Sequence, residues 1–514
     1  MGFSPICSIP PASPGLVSSP NVRSTFSIIW SCLSVILTCT WAVLHLPVPI
    51  DMAKPPSDKW DDMDWRQKSR HWYLPKLYNG SLKLFWFGLS LAGPEILTTF
   101  EVMGRIAARH DREQFKTLAK GDGVKWSLAH SHFANMGGFA IKFELQDAPQ
   151  SSMLNQGMLV HTPPSSETLQ EKLTKRSAKH CDKLFRYIPF HPEGKTHWKP
   201  HEHNNEMVER VLGSAKLDNL GGHHESSFYQ NSKALRGNIW VLDGLQLKYA
   251  RDVGIIKKLP SISNSQLEEK GNGDSIKTIL AVFQLLWFSA ELLFRVINGL
   301  SVTPLEISTL AFSACSIVTY IACWYKPQSV SKHVYIDADS LPTEEHIMEI
   351  AKRGPMAFFF ERGVLWIGGD SAYFRENNKG KLKGTLKDLI IIATITSMLF
   401  SGIHLLAWNF PFPTVQEQWT WRIVCLVLSL GSIPAGVVKS FQLHLQKRRF
   451  TMAKGGYQGL IGGVVHLLEK CVFLMFSVAC MGRLFIFAES ARSLWFLPSD
   501  AFQATPLGNV PHVG

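Results

Sequence analysis

The residues of this chain whose types and spacing could do chemistry are charged side chains set inside apolar runs. Gln284, Glu291 and Arg295 lie seven and four residues apart, which places them on one face of a helix. A charge at the centre of a bilayer costs upward of ~2.5 kcal/mol on insertion scales, so each such group needs a partner or a cavity. Glu291 and Arg295 could satisfy one another as an i,i+4 ion pair. Alternatively, Glu291 is a candidate proton donor and Arg295 its counter-charge or an anion-binding group. Glu95 follows Gly93 and Pro94 in the middle of another apolar stretch. As the second residue of a half-helix opened by Pro94 it complements the helix dipole, and as a desolvated carboxyl it is the second candidate proton donor. His404 and Arg483 sit in later apolar runs as candidate binding residues.

Other constellations have a structural reading at least as strong. Thr303, Pro304 and Glu306 occupy N-cap, N1 and N3 of a capping box, so Glu306 is expected to close a helix start. His130, His132 and Asn135 precede Gly137 and Gly138, where a ligand or another helix can approach closely. His130 and Asn135 are kept as binding candidates against burial in a packed element. His191, His197, His201, His203, His223 and His224 include metal-like spacings, yet Pro192 and Pro200 interrupt them and no apolar framework surrounds them. No metal site and no cofactor is expected. Asp61, Asp62 and Asp64 lack the further acid of a diphosphate-binding motif, and P-loop, GxSxG and HExxH patterns are absent. Asn79-Gly80-Ser81 is a glycosylation sequon on a segment read as cytosolic, hence unused.

The elements that must position these groups are helices. Six apolar runs have the length a ~30 Å hydrocarbon core demands: 25–46, 278–298, 305–324, 388–408, 422–438 and 467–488. The connections 299–304 and 409–421 carry no Lys or Arg, whereas 325–387 and the stretch after the fifth run are rich in both. Cytosolic connections are the positive ones, which predicts six spans with both termini outside. Measured from the cytosolic ends, Glu291, His404 and Arg483 should share one level in the non-cytosolic half of the membrane. A seventh apolar stretch, 82–103, has basic clusters on both flanks and Gly93-Pro94-Glu95 at its centre. Crossing would put one cluster outside, so a re-entrant or interfacial hairpin is expected, with half-helices of about nine to eleven residues.

The predicted fold class is all-α, a polytopic membrane helix bundle of about six spanning helices plus that hairpin, with a long, mostly disordered cytosolic loop. The organisation reads as a non-cytosolic tail 1–24; span 25–46; a cytosolic segment 47–141 holding the hairpin 82–103 and a short apolar element 126–141; a polar flexible loop 142–236; and a cytosolic amphipathic segment 237–275. Within that segment, 240–257 reads as a helix on the membrane surface. Spans 276–324, a basic loop 325–387, spans 388–438, a basic loop 439–466, the span 467–488 and a non-cytosolic tail 489–514 follow. A cytosolic helix opens at Thr343 and ends before Gly354. No internal repeat is present.

The net charge of +12 over 514 residues sits beside the spans. It points to the bilayer and its anionic headgroups as partners rather than to nucleic acid. The nine cysteines form no CxxC pair, which argues against a disulfide framework or a zinc ribbon. The first run is longer than a signal-peptide core and reads as a retained span. Neither the endoplasmic reticulum nor the plasma membrane is distinguished, and the oligomeric state stays open.

Several stretches resemble a family of fungal multi-spanning membrane proteins without an assigned activity: SIIWSCLSVILTCTWAVLHLPVP at 27–49, HFANMGGF at 132–139, WVLDGLQLKYARDVGIIKKLP at 240–260, LEISTLAFSACSIVTYIACWYKP at 305–327 and RLFIFAESARSLWFLP at 483–498. The resemblance implies a helical membrane fold and supplies no catalytic residue. It departs at Glu291, where such proteins more often carry a neutral amide. Three functions compete: a membrane-embedded enzyme of secondary metabolism acting on a lipophilic small molecule, of isoprenoid or polyketide type, by acid/base chemistry; a small-molecule transporter or channel, favoured by the broken segment at 93–95; and a membrane scaffold or sensor working through the 142–236 loop.

Overall fold

The computed structural model describes residues 17, 22–45, 48, 64–65, 74–144, 201–214, 228, 231–270, 275–328, 330, 332–354, 385–451 and 458–506. In chain order the elements are α1 (Thr25–Ala42), α2 (Leu74–Ala92), α3 (Pro94–Asp122), α4 (Leu128–Asn135), β1 (Phe139–Lys142), α5 (Glu202–Ser214), β2 (Ile239–Leu242), α6 (Gly244–Asp252) and α7 (Asn264–Lys270). Then come α8 (Ser275–Ile297), α9 (Pro304–Cys323), β3 (Val334–Asp337), α10 (Glu344–Arg353), α11 (Thr385–Ile403), α12 (Val415–Thr451) and α13 (Gln458–Arg492).

Among the described residues six helical stretches are long and apolar enough to cross a membrane: Thr25–Ala42, Ile279–Ile297, Pro304–Cys323, Asp388–Ala407, Val415–Gln442 and Gly463–Phe496. They coincide with the six expected runs, and the fold is a polytopic membrane helix bundle. α12 and α13, of 37 and 35 residues, extend about 50–55 Å, well past a hydrocarbon core. The basic stretch 439–466, expected as a loop, is therefore helical where described. There the two helices are tied by Gln442 Nε2 donating to Glu469 Oε1 at 3.0 Å. The capping box that opens α9 forms as expected: Thr303 Oγ1 accepts from Glu306 N at 3.2 Å and Glu306 Oε2 accepts from Thr303 N at 2.8 Å.

Gly93 separates α2 from α3, and Pro94 takes N1, where its missing N–H costs nothing. Trp86 and Phe100, seven residues to either side, meet edge to face with ring centroids 6.1 Å apart. In one continuous helix fourteen residues would separate them by about 21 Å. The chain thus folds back as a hairpin. Its second arm is much longer than the half-helix expected: α3 runs for 29 residues, leaving the bundle and ending at Gly123, whose φ of 70° is the left-handed cap that glycine tolerates best.

Beyond the bundle α3 enters a second core. Phe115 and Ala119 pack there with Phe133, Phe139, Ile141, Trp240, Leu242, Ile347 and Ile350. A three-stranded sheet of order β2-β1-β3 lies at its centre, with β1 antiparallel to β2 and parallel to β3. These short strands are an addition to the all-α expectation. Residues 126–141 are protein-buried in this core. The segment 240–257 does not offer its apolar face to a bilayer, because Leu247 and Ala250 of α6 are fully buried in the same core. α5, within the stretch expected as a flexible loop, buries Val208 and Val211 there; 145–200 and 215–227 lie outside the described residues. α10 begins at Thr343 as expected. Gly354 ends it with φ −68°, so no left-handed cap explains the glycine. Close approach does, since a Cβ would collide with the Asn231 amide, which donates to Ala351 O at 3.1 Å.

Candidate functional site at the hairpin tip

Glu95 is buried at the start of α3, 3 % exposed. Arg483, from α13, forms an ion pair with its Oε1 and donates from Nη1 to Ala92 O at 3.3 Å. One guanidinium therefore bridges the break, holding the carbonyl end of α2 and the carboxylate at the head of α3. Gly93 leaves room for it, for a Cβ there would lie 2.6 Å from Arg483 Nη1. Glu95 Oε2 and Arg483 Nε are buried with no hydrogen-bond partner among the described residues. Arg483 also lies over the Phe400 ring at 5.7 Å, and Phe400 stands edge-on to His404 at 5.1 Å. His404 donates from Nδ1 to Phe400 O at 2.9 Å, and its own carbonyl accepts from Trp421 Nε1 at 3.3 Å.

One turn along α3 comes a layer of hydroxyls. Thr98 Oγ1 lies 2.9 Å from Thr319 Oγ1 of α9, and Thr99 Oγ1 lies 2.7 Å from Thr396 Oγ1 of α11. Beside them a cavity between α1, α2, α3 and α9 is walled partly by Thr40, Ser90, Thr98, Ser316 and Thr319. The space open to the centre of a water molecule is about 10 Å³, room for about one water. Farther along α3, Glu101 takes Lys326 Nζ at 2.9 Å on both oxygens, and Arg105 Nη1 donates to Ile321 O at 2.6 Å near the end of α9.

The opposite end of the bundle, where Arg23 N donates to Phe502 O at 2.9 Å, holds a separate charge cluster. Arg23 Nη2 lies 2.5 Å from Glu306 Oε1 and 3.9 Å from Glu291 Oε1. Arg295, fully buried, donates to the backbone carbonyls of Ser301 (3.0 and 3.2 Å), Asp500 (3.2 Å), Ala501 (2.9 Å) and Gln503 (3.0 Å). The expected Glu291–Arg295 ion pair is thus replaced by Glu291–Arg23 and by a guanidinium that fastens the C-terminal segment. Gln284 Nε2, two turns away, donates to Ser34 Oγ at 3.1 Å.

Of the residues chosen from sequence, then, the fold gathers Glu95, Arg483 and His404. Glu291 does not join Arg483 and His404 at one level. Its partner Arg23 is on Glu306, and Glu306 precedes Cys315, which is level with Thr98, by nine residues or about 13 Å of helix. His130 and Asn135 belong to the second core: His130 is bonded to Ser127 Oγ (2.7 Å) and Ile262 O (2.8 Å), and Asn135 bridges Asp111 Oδ2 (2.8 Å) and Gly244 N (3.2 Å). Their neighbour His132 is buried with Nε2 unpartnered among the described residues, and burial, aided by Lys326, Arg105 and His45, pushes it down to about 3. His201 and His203 are bonded to the Glu144 and Pro342 carbonyls; the other loop histidines lie outside the described residues. No group of three metal-capable side chains occurs among the described residues. Arg23, Glu101 and Lys326 were not singled out from sequence. Arg23 carried a signal, as a lone arginine flanking a span on the side predicted to be poor in positive charge.

A family model matches residues 4–156 and 245–350, just over half of the chain. The chain belongs to a family of unknown function, DUF8562. The DUF8562 match takes in the hairpin, α1, α8 and α9, and with them Glu95, Glu101, Glu291, Glu306 and Lys326; Arg483 and His404 come from helices outside it. No curated protein and no solved structure matches the chain.

Proposed function

We propose that this DUF8562 member moves a small ion across the membrane and holds it, part-way, at the hairpin tip. One observation carries the reading. At a helix break inside the bundle, Glu95 keeps one carboxylate oxygen on Arg483 and the other buried without a partner among the described residues, while its neighbours Pro94 and Thr98 line a hydroxyl-walled cavity with room for about one water. Broken helices with exposed ends are how membrane proteins place charge at the midplane. The size of the cavity favours an ion over the organic substrate that acid/base catalysis on an isoprenoid or polyketide would require. We place the end bearing the second core in the cytosol, because the connections there are rich in Lys and Arg.

The test is flux into sealed vesicles containing the purified protein, with gradients of H⁺, Na⁺, K⁺ and Cl⁻ imposed one at a time. Flux of at least one ion above empty vesicles is expected, with a tenfold or greater loss in Glu95→Gln that elutes and melts as a folded protein. Silence of the wild type towards all four ions, or a Glu95→Gln protein as active as wild type, would overturn the reading. Turnover of a lipophilic compound in the same preparation would favour the enzyme.

A further inference from the structure

We infer that the ion is the proton, received on Glu95 Oε2 and relayed along a line of hydroxyls on α9; this rests on the transport reading above. Three acid–base pairs stand at successive levels of the bundle: Glu306 with Arg23, Glu95 with Arg483, and Glu101 with Lys326. Glu95 and Glu101 are six residues apart on α3, about 9 Å, and Glu306 lies about 13 Å from the level of Thr98. Between the outer levels α9 buries Ser308, Thr309, Ser313, Ser316 and Thr319.

Hydroxyls in membrane helices often serve only as glue, and some here do. Ser308 meets Ser490 at 3.2 Å, Thr98 meets Thr319 and Thr99 meets Thr396. Glue, however, needs partners. Ser313 Oγ, Tyr320 Oη and Glu95 Oε2 are buried polar atoms that have none among the described residues. Buried polar atoms without partners are costly, and water reaching them would relieve that cost. Such waters would also complete the chain between hydroxyls too far apart to touch.

The chemistry of the tip selects the ion. A metal cation would have to exchange its hydration shell for several oxygens at Glu95, with the Arg483 guanidinium already on the carboxylate. Chloride would face the Glu95 carboxylate. A proton needs neither shell nor room: Oε2 gains an O–H bond as the donating hydronium loses one, and the reverse step passes the proton to water or hydroxyl on the other side. One proton enters, one leaves, and nothing is oxidised or reduced. The charged and titratable groups facing Glu95 are Arg483 from α13 and, through Phe400 of α11, His404 just past the end of that helix; α1 and α9 present hydroxyls at this level.

Vesicles reporting internal pH, with membrane potential clamped, test the inference beside parallel Na⁺, K⁺ and Cl⁻ assays. Proton flux alone is expected in wild type, reduced three- to tenfold in Ser313→Ala and in Thr319→Val, and restored in Thr319→Ser. Movement of another ion without protons would overturn the inference while leaving transport standing. Absence of any flux would overturn both. Wild-type proton flux in Ser313→Ala and Thr319→Val together would overturn the α9 route.

Discussion

Two buried charge clusters of this bundle use the same residue types to opposite ends. Near the chain ends, Arg295 engages all three guanidinium nitrogens with backbone carbonyls, and Glu306 uses both carboxylate oxygens, one on Arg23 and one on its own helix cap. At the hairpin tip, Glu95 and Arg483 hold each other yet keep one polar atom apiece without a partner among the described residues. Arg23 in that first cluster also keeps Nη1 without a partner among the described residues, so what fastens elements there is Arg295, whose three nitrogens are all engaged. At the tip the acid itself, Glu95, keeps an oxygen with capacity for something else, whereas the acid Glu306 has both oxygens engaged. The first cluster is a clasp for the C-terminal segment, and the second is where an ion can be accommodated.

The largest expected effect breaks the clasp. Arg295→Met leaves four carbonyls that shared one guanidinium without their donor, and should cost about 3–5 kcal/mol, read as loss of folded yield and thermal stability in detergent. A second substitution should not recover it. At the tip, Arg483→Met should cost less, about 2–3 kcal/mol, because Glu95 can take up a proton and become neutral; Glu95→Gln in the same chain should recover most of that loss. Equal, unrecoverable costs at the two clusters would erase the distinction between clasp and site.

A third prediction separates pH effects on stability from pH effects at the tip. Folded His132 takes its proton only near pH 3 and the unfolded chain near 6.5, so acid favours unfolding. The stability it supports is complete above pH 6.5 and falls as pH drops from 6.5 toward 3. Between pH 7.5 and 5 the loss from this group should be about 2 kcal/mol, flattened in His132→Gln and unchanged by Glu95→Gln. Burial lowers His130 and His201 in the same direction. Asp122, held below the usual carboxylate range by Arg251, acts only at lower pH, where stability falls as its carboxylate is protonated. The smallest effect is structural: Thr319→Val, which removes one interhelical hydroxyl pair, should cost about 0.6 kcal/mol.

The spans were legible in sequence because a run of apolar residues of fixed length has few other uses. The hairpin was legible because its two basic flanks forbid crossing, and the cap of α9 because Thr303, Pro304 and Glu306 occupy defined positions. The pairings were not. Glu291 and Arg295 have the spacing of an ion pair, yet Arg23 and the C-terminal carbonyls, 268 and more than 200 residues away in the chain, compete for them successfully. Likewise 240–257 has the amphipathic pattern of a surface helix, and only the other elements of the second core decide that its apolar face is covered by protein. Periodicity locates a buried face without naming what buries it.

The central claim is that the hairpin carries Glu95 into the bundle and returns on the side it entered. In a cysteine-free background, Trp65→Cys before the hairpin and Glu113→Cys after it can be probed in sealed, uniformly oriented vesicles with a membrane-impermeant thiol reagent. Labelling of both from the same side is predicted, whichever side that is. Labelling of the two from opposite sides would make α2–α3 a crossing and contradict the account.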